Sequence, residues 1–478
     1  MRSESDKYIL SAHDLRVKEQ VGMKFTRNMT EGNIYRAFLS YALPLLLSSI
    51  LSRLYSTFDA VVAGKFISEN ALGAISTTGS YDVLLSSLFT GFASGFGIYI
   101  AQQFGKGEFS SVRRDVMTMG IFLEAVTVVI ILFSALFCDP ILDYLKVDAI
   151  LRPHSKTYFL IYITGYVFSY LNAMLLHTLY ALGCTSFSLF ITLTAAVLNI
   201  GGNLISVLVF DLGVAGLAAV TVLSNMVTTV CYLFLLKKAF AEMGCKKTPY
   251  VFKFSCIRQS LRYAVPAAIQ QVAFHGVGVL IAPSINGLGA AATTANNVSN
   301  QLYSIGTMSL WAVTSAFGNH TSQCVGKGEY QKIRKGLKAG FIMNVLLMLP
   351  FILVPMIFAR PVISLFFPKG FVGDAYVFAV RYASFWLPFV YVQLIGHMFH
   401  SYMRGLGSIG TVLCITVVVG AARVISTVLL IPSMHIYGAY LGQVISWAVD
   451  ALISAATVFC FYRTDDQLKR IVNRVRIK

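Results

Sequence analysis

Twelve mainly apolar stretches dominate the chain, at about 37–62, 81–104, 116–138, 158–181, 187–210, 214–236, 261–283, 300–324, 338–359, 377–402, 408–431 and 437–462. Each is long enough for a helix to cross a bilayer's hydrocarbon core, which takes roughly 20 residues. A lipid-embedded backbone must satisfy its polar groups internally. The pattern therefore predicts an all-α polytopic membrane protein with twelve transmembrane helices. Composition argues against a soluble alternative, because 56% of the 478 residues are hydrophobic and only 12% are charged. A soluble chain carries roughly twice that share of charge.

The net charge of +17 would suit a nucleic-acid partner, but the placement of the charges points elsewhere. An even number of spans puts both termini on one side. Segments sharing that side hold 29 Lys and Arg against 6 on the other, with Arg53, Arg381 and Arg423 within or at the ends of spans. Basic residues accumulate in cytoplasmic loops. Both termini are thus expected in the cytoplasm, in a multi-pass protein of the cell inner (plasma) membrane, and no nucleic acid is needed to explain the charge. The eight cysteines form no C-x-x-C pair, so neither a disulfide framework nor a metal site is expected. Residues 1–36 are polar and of mixed charge, unlike a cleavable signal peptide.

The chain also repeats itself. Gln102-Gln103-Phe104-Gly105-Lys106-Gly107-Glu108-Phe109 returns as Gln323-Cys324-Val325-Gly326-Lys327-Gly328-Glu329-Tyr330, displaced by 221 residues. Ala42-Leu43-Pro44 matches Ala264-Val265-Pro266 at 222, Ala181-Leu182-Gly183 matches Gly405-Leu406-Gly407 at 224, and Gly216 through Ser224 matches Gly438 through Ser446 at 222. Four landmarks at one offset imply two six-helix repeats. Because six spans separate equivalent points, the repeats are parallel and related by an axis along the membrane normal. The expected division is a tail at 1–36, a first lobe at 37–236, a basic cytoplasmic linker at 237–260, a second lobe at 261–462 and a tail at 463–478.

A proline near the start of the first span, Asp59 near its end in Phe58-Asp59-Ala60-Val61-Val62-Ala63-Gly64, and the Gly-Lys-Gly-Glu loop after the second span occur together here. So do Met29-Thr30-Glu31-Gly32 before the first span and Gly213-Val214-Ala215-Gly216 opening the sixth. Over about residues 29–462 this combination resembles the multidrug and toxic compound extrusion (MATE) family of secondary transporters, in its bacterial branch. The resemblance implies two six-helix lobes around a central cavity, and export of organic cations or other amphipathic compounds against a proton or sodium gradient. It further implies a coupling role for the first-span aspartate.

An ionised group at membrane depth is costly, so an intramembrane carboxylate is a functional candidate. Ser48, Ser52, Tyr55, Ser56 and Asp59 recur at helical spacing and draw a polar stripe on the first span, as residues facing a cavity or a neighbouring helix would. The plainer alternative is that Asp59 caps the span at the interface. Asn199 and Asn203 share a face of the fifth span and Thr221 follows in the sixth; these could surround a coupling ion or simply pack helices. Several MATE members carry an acid where this chain has Asn203, which argues for proton over sodium coupling. Ser52, Arg53, Tyr55, Gln271, His275 and Arg423 are the candidate cavity residues, with Glu124 or Asp450 a conceivable partner for Arg423. His397 and His400 sit three apart without a third ligand nearby, a poor metal site.

The leading expectation is a secondary antiporter exporting amphipathic or cationic small molecules in exchange for protons. The alternatives are sodium coupling, or a flippase for a lipid-linked saccharide. No H-E-x-x-H, G-x-S-x-G or nucleotide-binding loop suggests an enzyme. The protein is expected to act as a monomer in the lipid bilayer on a small-molecule substrate, with no cofactor beyond the coupling ion, H+ or else Na+.

Overall fold

The computed structural model describes residues 25–66, 69–245, 252–368, 370–462 and 464–477, with the backbone alone for 55–66, 69–78, 80 and 474–477. Among the described residues every regular element is a helix. The first six spans are Ile34–Phe66, Glu69–Gly105, Phe109–Leu136, the pair Arg152–Thr164 and Tyr166–Ala181, Ser186–Leu208 and Gly213–Glu242. The second six are Phe254–Asn286, Ala290–Lys327, Tyr330–Ile357, Asp374–Gly405, Ile409–Met434 and Ile436–Phe461. A final helix, Asp465–Ile477, follows. The chain is an all-α polytopic membrane protein, as the apolar runs predict.

Three differences from the sequence pattern have physical causes. Helices outrun the apolar stretches, since backbone hydrogen bonding continues past the hydrocarbon; the second span begins at Glu69 rather than near 81. The fourth span breaks at Gly165 with a bend of 46°. The tenth is interrupted by a π turn at Tyr382–Trp386 and a 3-10 turn at Leu387–Phe389, where Pro388 cannot donate to an α ladder. The eighth span is the least apolar of the twelve, and it tolerates this because it lies inside the protein. Thr321, Ser322, Gln323 and Cys324 on it are all fully buried.

The halves meet through their first two spans. The second span packs on the seventh, the first on the eighth, and the second also on the eighth. The first two pairings exchange under the repeat, and the third lies on its axis. Packing crosses over as well. Phe38, Tyr41 and Ala42 of the first span join the hydrophobic core of the second half. Ile257, Tyr263 and Ala267 of the seventh join that of the first half. Both described ends of the chain lie at the same face: Lys332 Nζ donates to Thr30 O at 3.0 Å, and Arg334 pairs with Asp465 at 2.8 Å.

Candidate functional site

The repeated glutamine-to-glutamate motif builds a closure between the halves at the face that holds the chain ends. Gln102 Nε2, on the second span, donates to Gly405 O of the tenth at 3.0 Å. Its repeat partner Gln323, on the eighth span, donates through Nε2 to Ala181 O of the fourth, also at 3.0 Å. The side-chain oxygens are occupied too. Tyr263 Oη donates to Gln102 Oε1 at 3.1 Å and the Met29 amide to Gln323 Oε1 at 2.8 Å. Buried amides with their polar atoms matched in this way form two specific cross-links rather than loose packing.

Between the two clasps the second and eighth spans touch backbone to backbone. A Cβ on Gly105 would stand 2.2 Å from Gln323 O, and one on Gly326 would stand 2.2 Å from Gln102 O. Both helices then stop in the same way, at Gly107 with φ 79° and Gly328 with φ 77°, the left-handed terminus that glycine adopts without strain. The Gly-Lys-Gly-Glu pattern is thus a structural joint read twice.

Above the joint lies a cavity of about 240 Å3, bordered by the first, second, fourth, seventh, eighth and tenth spans. One wall is aromatic: Trp311 meets His397 edge to face at 4.9 Å between centroids, and Phe274 meets Trp311 at 6.0 Å. Arg404, one residue before the clasped Gly405, borders the cavity from the tenth span and donates to Ser94 Oγ of the second. His177, His397 and His400 also border it. Behind the wall, His400 Nε2 is 2.9 Å from Asp450 Oδ1 of the twelfth span, and Ser454 donates to the same oxygen at 3.0 Å. Among the described residues, none of those bordering the cavity is Asp or Glu.

Of the sequence candidates, Gln271 borders the cavity. Ser52, Arg53, His275 and Arg423 do not. Ser52 is half-buried and Arg53 exposed on the first span. His275 is exposed beside the edge of Phe274, at 5.5 Å. Arg423 lies within electrostatic reach of Tyr303 and Tyr382, while Asp450 is engaged by His400. Glu124 is half-buried on the third span. Asn199 and Asn203 are buried and bonded to each other, Nδ2 of Asn203 donating to Oδ1 of Asn199 at 3.0 Å. Thr221 donates to Leu217 O at 2.9 Å. The side chains of Tyr55 and Asp59 lie outside the described residues. On the first-span helix Asp59 stands 18 residues beyond the cavity residue Tyr41, about 27 Å along the axis at 1.5 Å per residue.

Sequence reasoning missed Arg404, His177 and the two glutamines' partners. Arg404 sits at a span end, where a basic residue reads as a loop charge that sets topology. Its adjacency to Gly405, the repeat equivalent of Ala181, is the signal that could have placed it in the joint.

With this geometry in hand, the comparisons with known proteins are consistent. The MatE family model matches residues 44–205 and 266–430. The probable multidrug resistance protein YpnP of Bacillus subtilis is 22% identical over 441 residues, covering 91% of this chain and 96% of that protein. The multidrug export protein MepA of Staphylococcus aureus is 25% identical over 206 residues, covering 43% of this chain and 46% of its own length. Among solved structures, a multidrug resistance MATE family transporter of the MOP superfamily in an outward-facing conformation superposes with a TM-score of 0.81. It is 15% identical, with 94% of this chain and 98% of that chain covered. A MATE structure in the straight conformation gives 0.82 at 15% identity, with the same coverage.

Proposed function

The chain belongs to the MatE family, and from that premise we propose that it is a secondary active antiporter that exports amphipathic small molecules in exchange for protons. The observation that carries the proposal is a cavity enclosed between two repeat-related halves and sealed at one face by symmetric clasps. Exposing such a cavity to each side in turn requires the halves to rock about the joint. One pair of glutamine bonds must break and reform in each cycle. The basic loops argue for the cytoplasm at the clasped face. The sealed arrangement is then the one in which substrate cannot return. Curated relatives are named as multidrug resistance and export proteins, which supports the direction of flux.

Asp59 is the proposed coupling group. It stands about 27 Å along the first span from Tyr41, and a change of protonation there would act through that span, which packs on both the fifth and the eighth. In this scheme the buried Asn199 and Asn203 pair and Thr221 serve as hydrogen-bonding surroundings that tune proton affinity rather than as sodium ligands. A flippase for a lipid-linked saccharide has weaker support. Holding a pyrophosphate calls for several convergent cationic donors, and among the described residues one guanidinium borders the cavity.

The test is Asp59→Asn, which keeps size and removes titration. The variant should express and fold as the wild type does and lose gradient-driven export. A folded variant exporting normally would overturn the assignment of Asp59.

A further inference from the structure

The polarity of the cavity narrows the substrate beyond the class argued above. A site built for organic cations would set a carboxylate against the charge of the ligand. Among the described residues, those bordering the cavity contribute one guanidinium and three imidazoles and no acid. The carboxylate of Asp450 touches the wall through His400, but its side chain is only 5% exposed and already holds His400 and Ser454. It stands behind the wall and forms no ion pair with Arg404.

Arg404 is placed to be used. It anchors to Ser94 across the lobe interface, and a guanidinium has five N–H donors in a planar fork that suits a carboxylate or phosphate. Among the described residues no Asp or Glu pairs with it. Asn319 and Gln271 add neutral donors around the cavity, while Phe274 and Trp311 give an apolar wall. A cation seated against that wall would share a volume of about 240 Å3 with a fixed positive charge, which is an unfavourable interaction.

We propose that the cavity binds amphipathic anions: an aromatic or apolar body against Phe274 and Trp311, with a carboxylate or comparable acidic group held by Arg404. The proposal rests on the reading of this cavity as the export site. It adds a consequence for transport. An anion held at the edge that includes Nη2 would draw that nitrogen from Ser94 and loosen one contact between the halves beside the Gly405 clasp.

The test is equilibrium binding, by fluorescence anisotropy, of two three-ring dyes of similar size and opposite charge to the purified full-length protein in neutral detergent. The dyes are anthracenecarboxylate, an anion, and proflavine, a cation. The wild type should bind the anion at least tenfold more tightly than the cation. Arg404→Gln should lose at least tenfold in affinity for the anion and little for the cation, and Arg404→Lys should retain part of the preference. Equal or tighter binding of proflavine by the wild type, absence of anion binding, or a folded Arg404→Gln that binds the anion unchanged would each overturn the proposal. Should Arg404→Gln not fold, the wild-type dye comparison and Arg404→Lys still decide it. Binding needs no gradient, so intact proton-driven export without anion preference defeats only this inference. Anion preference without proton-driven export defeats only the coupling mechanism.

Discussion

At Gly105 and Gly326 the absence of one carbon decides how closely the second and eighth spans approach. A Cβ at either position would sit 2.2 Å from a backbone oxygen of the opposite helix, and backbone, unlike a side-chain tip, cannot swing aside. Gly326→Ala should therefore force the helices apart and cost about 1–3 kcal/mol, in the range of overpacked cores. A lowered melting temperature in detergent would register it; an unchanged one would mean that the joint is loose. Residue identity revealed the candidate site unevenly. Gln271 was legible because polar residues at helical spacing in an apolar span must face something other than lipid. Arg404 was not, because the same residue type at a span end has the ordinary role of fixing topology, and only its neighbours in space reveal that it borders the cavity. Asp59, the proposed coupling aspartate, is the opposite case, singled out in the sequence by the cost of a charge at membrane depth and by the family pattern alone.

The same contrast holds for whole elements. Twelve spans and their pairing into repeats could be read from apolar length and a constant offset near 221 residues, since both follow from the bilayer's thickness and from duplication. The work done by the repeated motif could not. Its glutamines bind backbone carbonyls, at Gly405 and Ala181, and a carbonyl carries no residue signature. The crossover of Phe38 and Tyr41 into the opposite core was hidden for a related reason: a lipid-facing and a protein-facing apolar residue look alike in sequence. Gln323→Leu tests the clasp as an element-scale device. It leaves the Met29 amide and Ala181 carbonyl without their partner, a loss of about 1–3 kcal/mol for buried polar groups. Hydrogen exchange should accelerate at the ends of the second, fourth and eighth spans while the distal ends stay protected. Unaltered exchange there would show that helix packing alone holds the face closed.

For the molecule as a whole, the central claim is that two parallel lobes rock about one joint and that a proton gradient drives the motion. Beside the joint the halves meet through pairs that exchange under the repeat, the second span on the seventh and the first on the eighth, so a tilt moves Phe38 and Tyr41 against the opposite core that they enter. The halves differ in polarity. Among the described residues, the guanidinium and two of the three imidazoles bordering the cavity come from the tenth span, and the proposed proton site is on the first. Substrate and proton would thus act on opposite lobes and communicate through the joint. The most direct measurement is reconstitution of the wild type into liposomes, following a fluorescent amphipath under an imposed pH gradient and then under a sodium gradient at equal pH. The account predicts transport that follows the pH gradient and loses its drive when the two sides are equal. Undiminished transport at zero pH gradient and zero membrane potential, driven by sodium alone, would contradict it.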